Sequence, residues 1–117
     1  MGLRGYLALS GLIFAVSCGG VSAEGIPYRR NVTLKVGETV VLKGVRGDCG
    51  APPPSWSQLS SSLPPTALGR FSDGGPGEVS SKSCKGITPA RAVRFTATQK
   101  GSETLLIFED KVSVTVQ

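Results

Sequence analysis

The stretch Glu103-Thr104-Leu105-Leu106-Ile107-Phe108-Glu109-Asp110-Lys111-Val112-Ser113-Val114-Thr115-Val116 decides the fold class. Residues 103–108 form an apolar run that predicts a central, buried strand. Glu109-Asp110 supplies a tight turn, and residues 111–116 alternate so that Val112, Val114 and Val116 share one face. Immediately upstream, residues 91–98 alternate around Val93 and Phe95, and Lys100-Gly101 turns the chain back. Period-two alternation rich in β-branched residues marks half-buried strands, and no 3.6-residue apolar stripe competes with it.

Working toward the N-terminus, residues 31–36 place Val32, Leu34 and Val36 on one face. Gly37-Glu38 interrupts them, and residues 39–43 resume a strand pattern through Val40-Val41-Leu42. Residues 44–77 differ in character. Pro52-Pro53-Pro54, Pro64-Pro65 and Ser60-Ser61-Ser62 break periodicity, and Asp73-Gly74-Gly75-Pro76-Gly77 reads as a turn-rich loop. Within this segment Trp56 is expected either to start a short strand or to pack beneath the proline arm. Residues 78–82 suggest another short strand. The sum is six or seven strands without a helix, which predicts an all-β fold, a small antiparallel β-sandwich occupying residues 24–117.

Residues 1–23 read as an export signal, with Arg4 as the positive segment and an uncharged apolar stretch over residues 7–16. Two processing sites follow. Ala15-Val16-Ser17-Cys18 resembles the lipobox of bacterial lipoproteins, which implies cleavage after Ser17, lipidation of Cys18, and Gly19-Gly20 as a tether. Val21-Ser22-Ala23 offers a small-x-small site with cleavage after Ala23. Export places the domain in the periplasm or cell envelope, or outside the cell. In such an oxidising compartment Cys49 and Cys84 are the expected disulfide pair, and Cys18 is the odd cysteine. The loop they would close is long enough for a bridge to contribute roughly 3–4 kcal/mol.

The segment Phe95-Thr96-Ala97-Thr98-Gln99-Lys100-Gly101-Ser102-Glu103-Thr104-Leu105 resembles the strand-turn-strand of bacterial immunoglobulin-like domains, and Val36-Gly37-Glu38-Thr39-Val40 resembles their first hairpin. The order of features is also similar to chagasin-type inhibitors of cysteine proteases, which block a protease cleft with three loops. In that comparison Gly50-Ala51-Pro52-Pro53-Pro54-Ser55-Trp56 stands for the first loop and Gly74-Gly75-Pro76-Gly77 for the second. The third has no counterpart beyond Glu109-Asp110. The resemblance to immunoglobulin-like domains implies a binding or structural module of the envelope, and the chagasin likeness implies a protease inhibitor as the alternative.

The chain contains no histidine, which excludes Ser-His-Asp and Cys-His catalysis and removes the commonest metal ligand. No catalytic residue, metal site or cofactor is expected. Thirteen basic residues face eight acidic ones, a net charge of +5, but the basic residues are scattered and aromatics do not interleave them. Nucleic acid is therefore not an expected partner. A protein partner is, and a lipid on Cys18 is the one expected link to a membrane. Contacts with the protein partner are expected at Pro52, Pro53, Pro54 and Trp56, and at Gly74, Gly75 and Gly77. Polyproline pre-orders a loop, and glycine lets a backbone approach closely. Arg46-Gly47-Asp48 matches the integrin tripeptide, although such tripeptides recur by chance. Asn31-Val32-Thr33 is a glycosylation sequon that a bacterial chain leaves idle. Metabolic labelling with a fatty-acid analogue distinguishes the two processing routes. Label that disappears in Cys18→Ala identifies the lipidated form, and an unlabelled native chain removes the lipoprotein reading.

Overall fold

The computed structural model describes residues 25–117. The expected export signal, both expected processing sites and Cys18 lie outside the described residues. Six strands and one helical turn follow in order: β1 (Asn31–Leu34), β2 (Thr39–Arg46), α1 (Trp56–Ser60), β3 (Gly69–Ser81), β4 (Gly86–Ala97), β5 (Gly101–Ile107) and β6 (Asp110–Val116). They form two three-stranded sheets, β1-β6-β5 and β2-β4-β3. All pairings are antiparallel except β1 with β6, which run parallel from Asn31/Ser113 to Leu34/Val116. The chain is thus a small all-β sandwich.

Its core comes from the alternation seen in the sequence. Val32 and Leu34 of β1, Leu105 and Ile107 of β5, and Val112, Val114 and Val116 of β6 meet Leu42, Val45, Val93, Phe95 and Ala97 of the other sheet. Phe95 is fully buried, and Phe71 of β3 packs edge-on against it at 5.6 Å between ring centroids. Leu59 of α1 and Leu68 close the same cluster.

Several sequence expectations change. Val36 does not join Val32 and Leu34: β1 ends at Leu34, and Val36 is half exposed in the turn that carries the chain to the other sheet. The expected first hairpin is therefore a crossing between sheets, as is the link from β4 to β5. β5 is not central but an edge strand, so its apolar run resolves into buried Leu105 and Ile107 and an exposed Leu106. Its turn into β6 is Phe108-Glu109, with Ile107 paired to Asp110.

Trp56 begins a helical turn rather than a strand. Ser55 caps it: its hydroxyl accepts from the Gln58 N–H at 3.2 Å, while the Gln58 side chain accepts from the Ser55 N–H at 3.1 Å. The largest correction concerns Asp73-Gly74-Gly75-Pro76-Gly77, which is not a loop but the middle of β3. The partner strand β4 starts at Gly86, earlier than its alternation shows. A bulge reconciles turn-type residues with a strand: Asp73 pairs with Val93 and Pro76 with Arg91, leaving Gly74 and Gly75 opposite Ala92. Gly75 takes φ +88°, which only glycine adopts freely. Pro76 is tolerated because β3 lies at the edge of its sheet.

The Cys49–Cys84 disulfide is present, with Cα atoms 5.4 Å apart. It does not pass through the core. It joins the loop after β2 to the turn between β3 and β4, so it braces one end of one sheet. Thr88, buried on β4, adds to this brace by accepting from the Gly50 N–H at 2.9 Å.

Gly69 gives the fold a sharp test. An added Cβ would collide with the Thr96 carbonyl oxygen and stand 2.6 Å from the Phe95 ring. Neither is a flexible side-chain end. Gly69→Ala is expected to lower unfolding free energy by about 2–3 kcal/mol in urea titration. Gly25→Ala, with nothing within 4 Å of its added carbon, is the control expected to change little.

Candidate functional site

Strand β4 runs without a bulge, so Arg91, Val93, Phe95 and Ala97 project from the same face. The last three lie in the core. Arg91 lies where that row leaves it, and its guanidinium joins the two segments that the sequence marks for binding. Nε donates to the Pro54 carbonyl at 2.7 Å, and Nη1 donates to both carboxylate oxygens of Asp73 at 3.0 and 3.1 Å. Asp73 also accepts the Gly75 N–H at 2.8 Å, closing the bulge on itself. The proline arm and the glycine bulge are thus one surface held by one side chain.

The expected residues divide accordingly. Pro52 is exposed, Pro53 and Pro54 are half-buried, and Gly74 and Gly75 flank the Asp73–Arg91 pair. Trp56 packs half-buried against the core, and Gly77 is buried opposite Ala90, so both support the surface more than they present it. Cys49 is exposed beside the arm and tethers it through Cys84. The Arg46-Gly47-Asp48 tripeptide is not displayed as a pair of outstretched charges. Arg46 is half-buried and donates back to the Gly47 carbonyl at 2.8 Å.

Sequence reasoning missed two residues. Arg91 had a readable signal, namely a charge in register with Val93 and Phe95 on what must be the core row. Phe108 has less: the apolar run places it at the end of a buried strand, whereas it occupies the β5–β6 turn at φ +58°, 40 % exposed. That turn is pinned by Lys43, buried on β2. Its ammonium meets Asp110 Oδ2 at 2.6 Å and approaches the Ile107 carbonyl at 3.5 Å.

Two concavities adjoin Phe108. An open groove of about 850 Å³ runs between residues 43–46 of β2 and residues 79–83 of β3 and the following turn. A smaller pocket of about 260 Å³ lies among Pro54, Leu59, Val45 and Phe108. Among the described residues no group of three or more His, Cys, Asp or Glu is arranged to hold a metal ion. In comparisons with known proteins, no family model matches the chain, and neither a curated protein nor a solved structure does.

The Arg91 bridge has a pH signature. Partial burial acts to raise the Asp73 pKa. Hydrogen bonds from Gly75 and Arg91 and the charges of Arg91 and Arg94 outweigh it, holding the carboxyl below its ordinary 3.8. A lowered folded pKa means that the link stabilises the fold fully above the unfolded value. That contribution is lost as pH falls through the folded one. The Gly75 amide resonance is therefore expected to titrate with a midpoint below 3.8 in the native protein and to stay still in Asp73→Asn. A midpoint at or above 3.8 would refute the link.

Proposed function

We propose that this chain is an exported, non-enzymatic, immunoglobulin-like module of the bacterial cell envelope that recognises a protein partner through its loops. The export signal and the disulfide support the location. The facing three-stranded sheets support the immunoglobulin-like reading. One observation carries the binding role: Arg91 couples the proline arm to the glycine bulge, so two segments distant in sequence form one ordered surface. Ordering a contact surface beforehand lowers the entropy lost when a partner docks. Chemistry has no comparable support, because the sequence offers no histidine and Asp73 is committed to Arg91.

Inhibition of papain-like proteases gains nothing from this geometry. The glycine stretch that a second inhibitory loop needs is a bulge within strand β3, and the β5–β6 turn has two residues. The domain is expected not to inhibit papain at micromolar concentration.

The binding role is tested by capturing envelope proteins on the immobilised native domain and on Arg91→Met, which keeps the stem but removes both links. The native domain is expected to retain a specific protein, and Arg91→Met to weaken that capture by about tenfold, equivalent to about 1.4 kcal/mol. Lys100→Glu, an exposed substitution in the turn after β4, serves as the unaffected control. Equal capture by Arg91→Met and the native domain would remove the proposed surface.

A further inference from the structure

Strands β2 and β3 flank β4, and each pairs along one side only. The sheet curls, so that the two strands approach each other across the face of β4. Gly44 lies so close to β3 that an added Cβ would stand 2.7 Å from Val79 Cγ1 and 3.1 Å from Ile26 Cδ1. Ala90 and Ala92 of β4, both buried, keep the curled face thin. Among the described residues the outer edges of β2 and β3 carry no further named strand, an arrangement that accepts extended backbone.

The chain already uses part of these edges in that way. Ile26 donates its N–H to the Glu78 carbonyl of β3 at 2.8 Å, next to a parallel bridge between Gly25 and Glu78. Three residues later Arg29 donates its N–H to the Leu42 carbonyl of β2 at 2.9 Å. The segment then leaves for β1. Beyond Leu42 and Glu78 the edges continue as residues 43–46 and 79–83, and these line the 850 Å³ groove without a strand beside them among the described residues.

The groove has a charge preference and an apolar terminus. Lys43 and Asp110 neutralise each other at 2.6 Å, which leaves Arg46 and Lys82 against Glu109 on a chain of net charge +5. At one end the groove shares Val45, Arg46 and Phe108 with the 260 Å³ pocket, whose other walls include Pro54 and Leu59. The opposite wall is braced: Cys84 lies in the turn that carries Lys82 and is bonded to Cys49 beyond the end of β2.

We propose that this groove receives an extended, acidic peptide segment of a protein partner, added as a strand along the outer edge of β2, with one large apolar side chain seated beside Phe108. The inference rests on the binding-module reading and specifies the chemistry of the partner. Main-chain hydrogen bonds to the strand edge supply affinity, whereas Arg46, Lys82 and the Phe108 pocket select the sequence.

The probe is a fluorescent eight-residue peptide that alternates Glu with Val and carries one Phe near an end. It is titrated against the oxidised domain by anisotropy, and the amide shifts are mapped by NMR. Binding is expected with shifts concentrated at residues 43–46 and 79–83. Replacing every Glu by Lys, or methylating alternate backbone nitrogens, is expected to weaken it at least about tenfold. Lys82→Glu and Phe108→Ser, both at exposed turn positions, are each expected to weaken it by about threefold to tenfold. Equal binding of the acidic, basic and methylated peptides overturns the proposal. So does a shift map elsewhere, or sedimentation showing that a second copy of the chain fills the groove. A protein captured from the envelope in an Arg91-dependent manner, with no peptide binding, would sink this inference and leave the binding-module reading standing.

Discussion

The burial of Phe95 sets the terms for the rest of the sandwich. Its ring lies at zero exposure in the middle strand of one sheet, under the valines of the other. Removing so large a buried side chain ordinarily costs about 3–5 kcal/mol. Its neighbours are arranged around it. Gly69 lacks a side chain because the ring and the Thr96 carbonyl occupy that space, Phe71 meets the ring edge-on, and Val40 pairs directly across from it on β2. A domain of this size has little core to spare, so one well-packed aromatic carries a large share of the specificity.

The same strand explains how the site is positioned. Since β4 is regular, the row that buries Phe95 and Val93 must deliver Arg91 to the sandwich margin, pointing the same way. There it finds a carbonyl and a carboxylate, and its side chain remains only 19 % exposed. A cation so placed needs partners, and the loops supply them: Pro54 from the arm and Asp73 from the bulge. Loop order at the surface is in this sense a consequence of strand register in the core. The disulfide plays the complementary part. Because it lies at the periphery, it narrows the freedom of the arm and of the β3–β4 turn and leaves the core to hydrophobic packing.

What the sequence disclosed follows from the same physics. Strands with one face buried alternate, and β4 and β6 were readable in residues 91–98 and 111–116 for that reason. The cysteine pair was readable because the expected oxidising compartment leaves two thiols in a small domain few other fates. Asp73-Gly74-Gly75-Pro76-Gly77 misled because local composition reports turn preference, whereas a bulge satisfies that preference inside a strand. Residues 103–108 misled in the opposite way. An apolar run does not tell a central strand from an edge strand, and Leu106 is the residue that reveals the difference. Arg91 was visible as a charge on a core row, but its partners come from 37 and 18 residues away, and no local pattern specifies them.

Open sheets must also protect their edges, and the way the edges of β1, β3 and β2 are handled bears on where a partner docks. β1 is only four residues long. β3 is interrupted by its glycine bulge and by Pro76, then engaged by Gly25 and Ile26. β2 is interrupted by a bulge at Leu42, whose carbonyl is taken by Arg29. Short length, bulges, proline and covering segments are the common defences against unwanted strand addition. Residues 43–46 lie past all of these, yet Lys43 is turned inward to Asp110 instead of guarding the edge. Their neighbours across the groove, residues 79–83, are held by a covalent bond at the turn. Among the described residues this stretch of edge is open, walled by residues 79–83 and braced by the disulfide, in a sheet whose remaining edges are defended. It fits a surface kept available for one kind of backbone, with Phe108 standing at its end to discriminate among candidates.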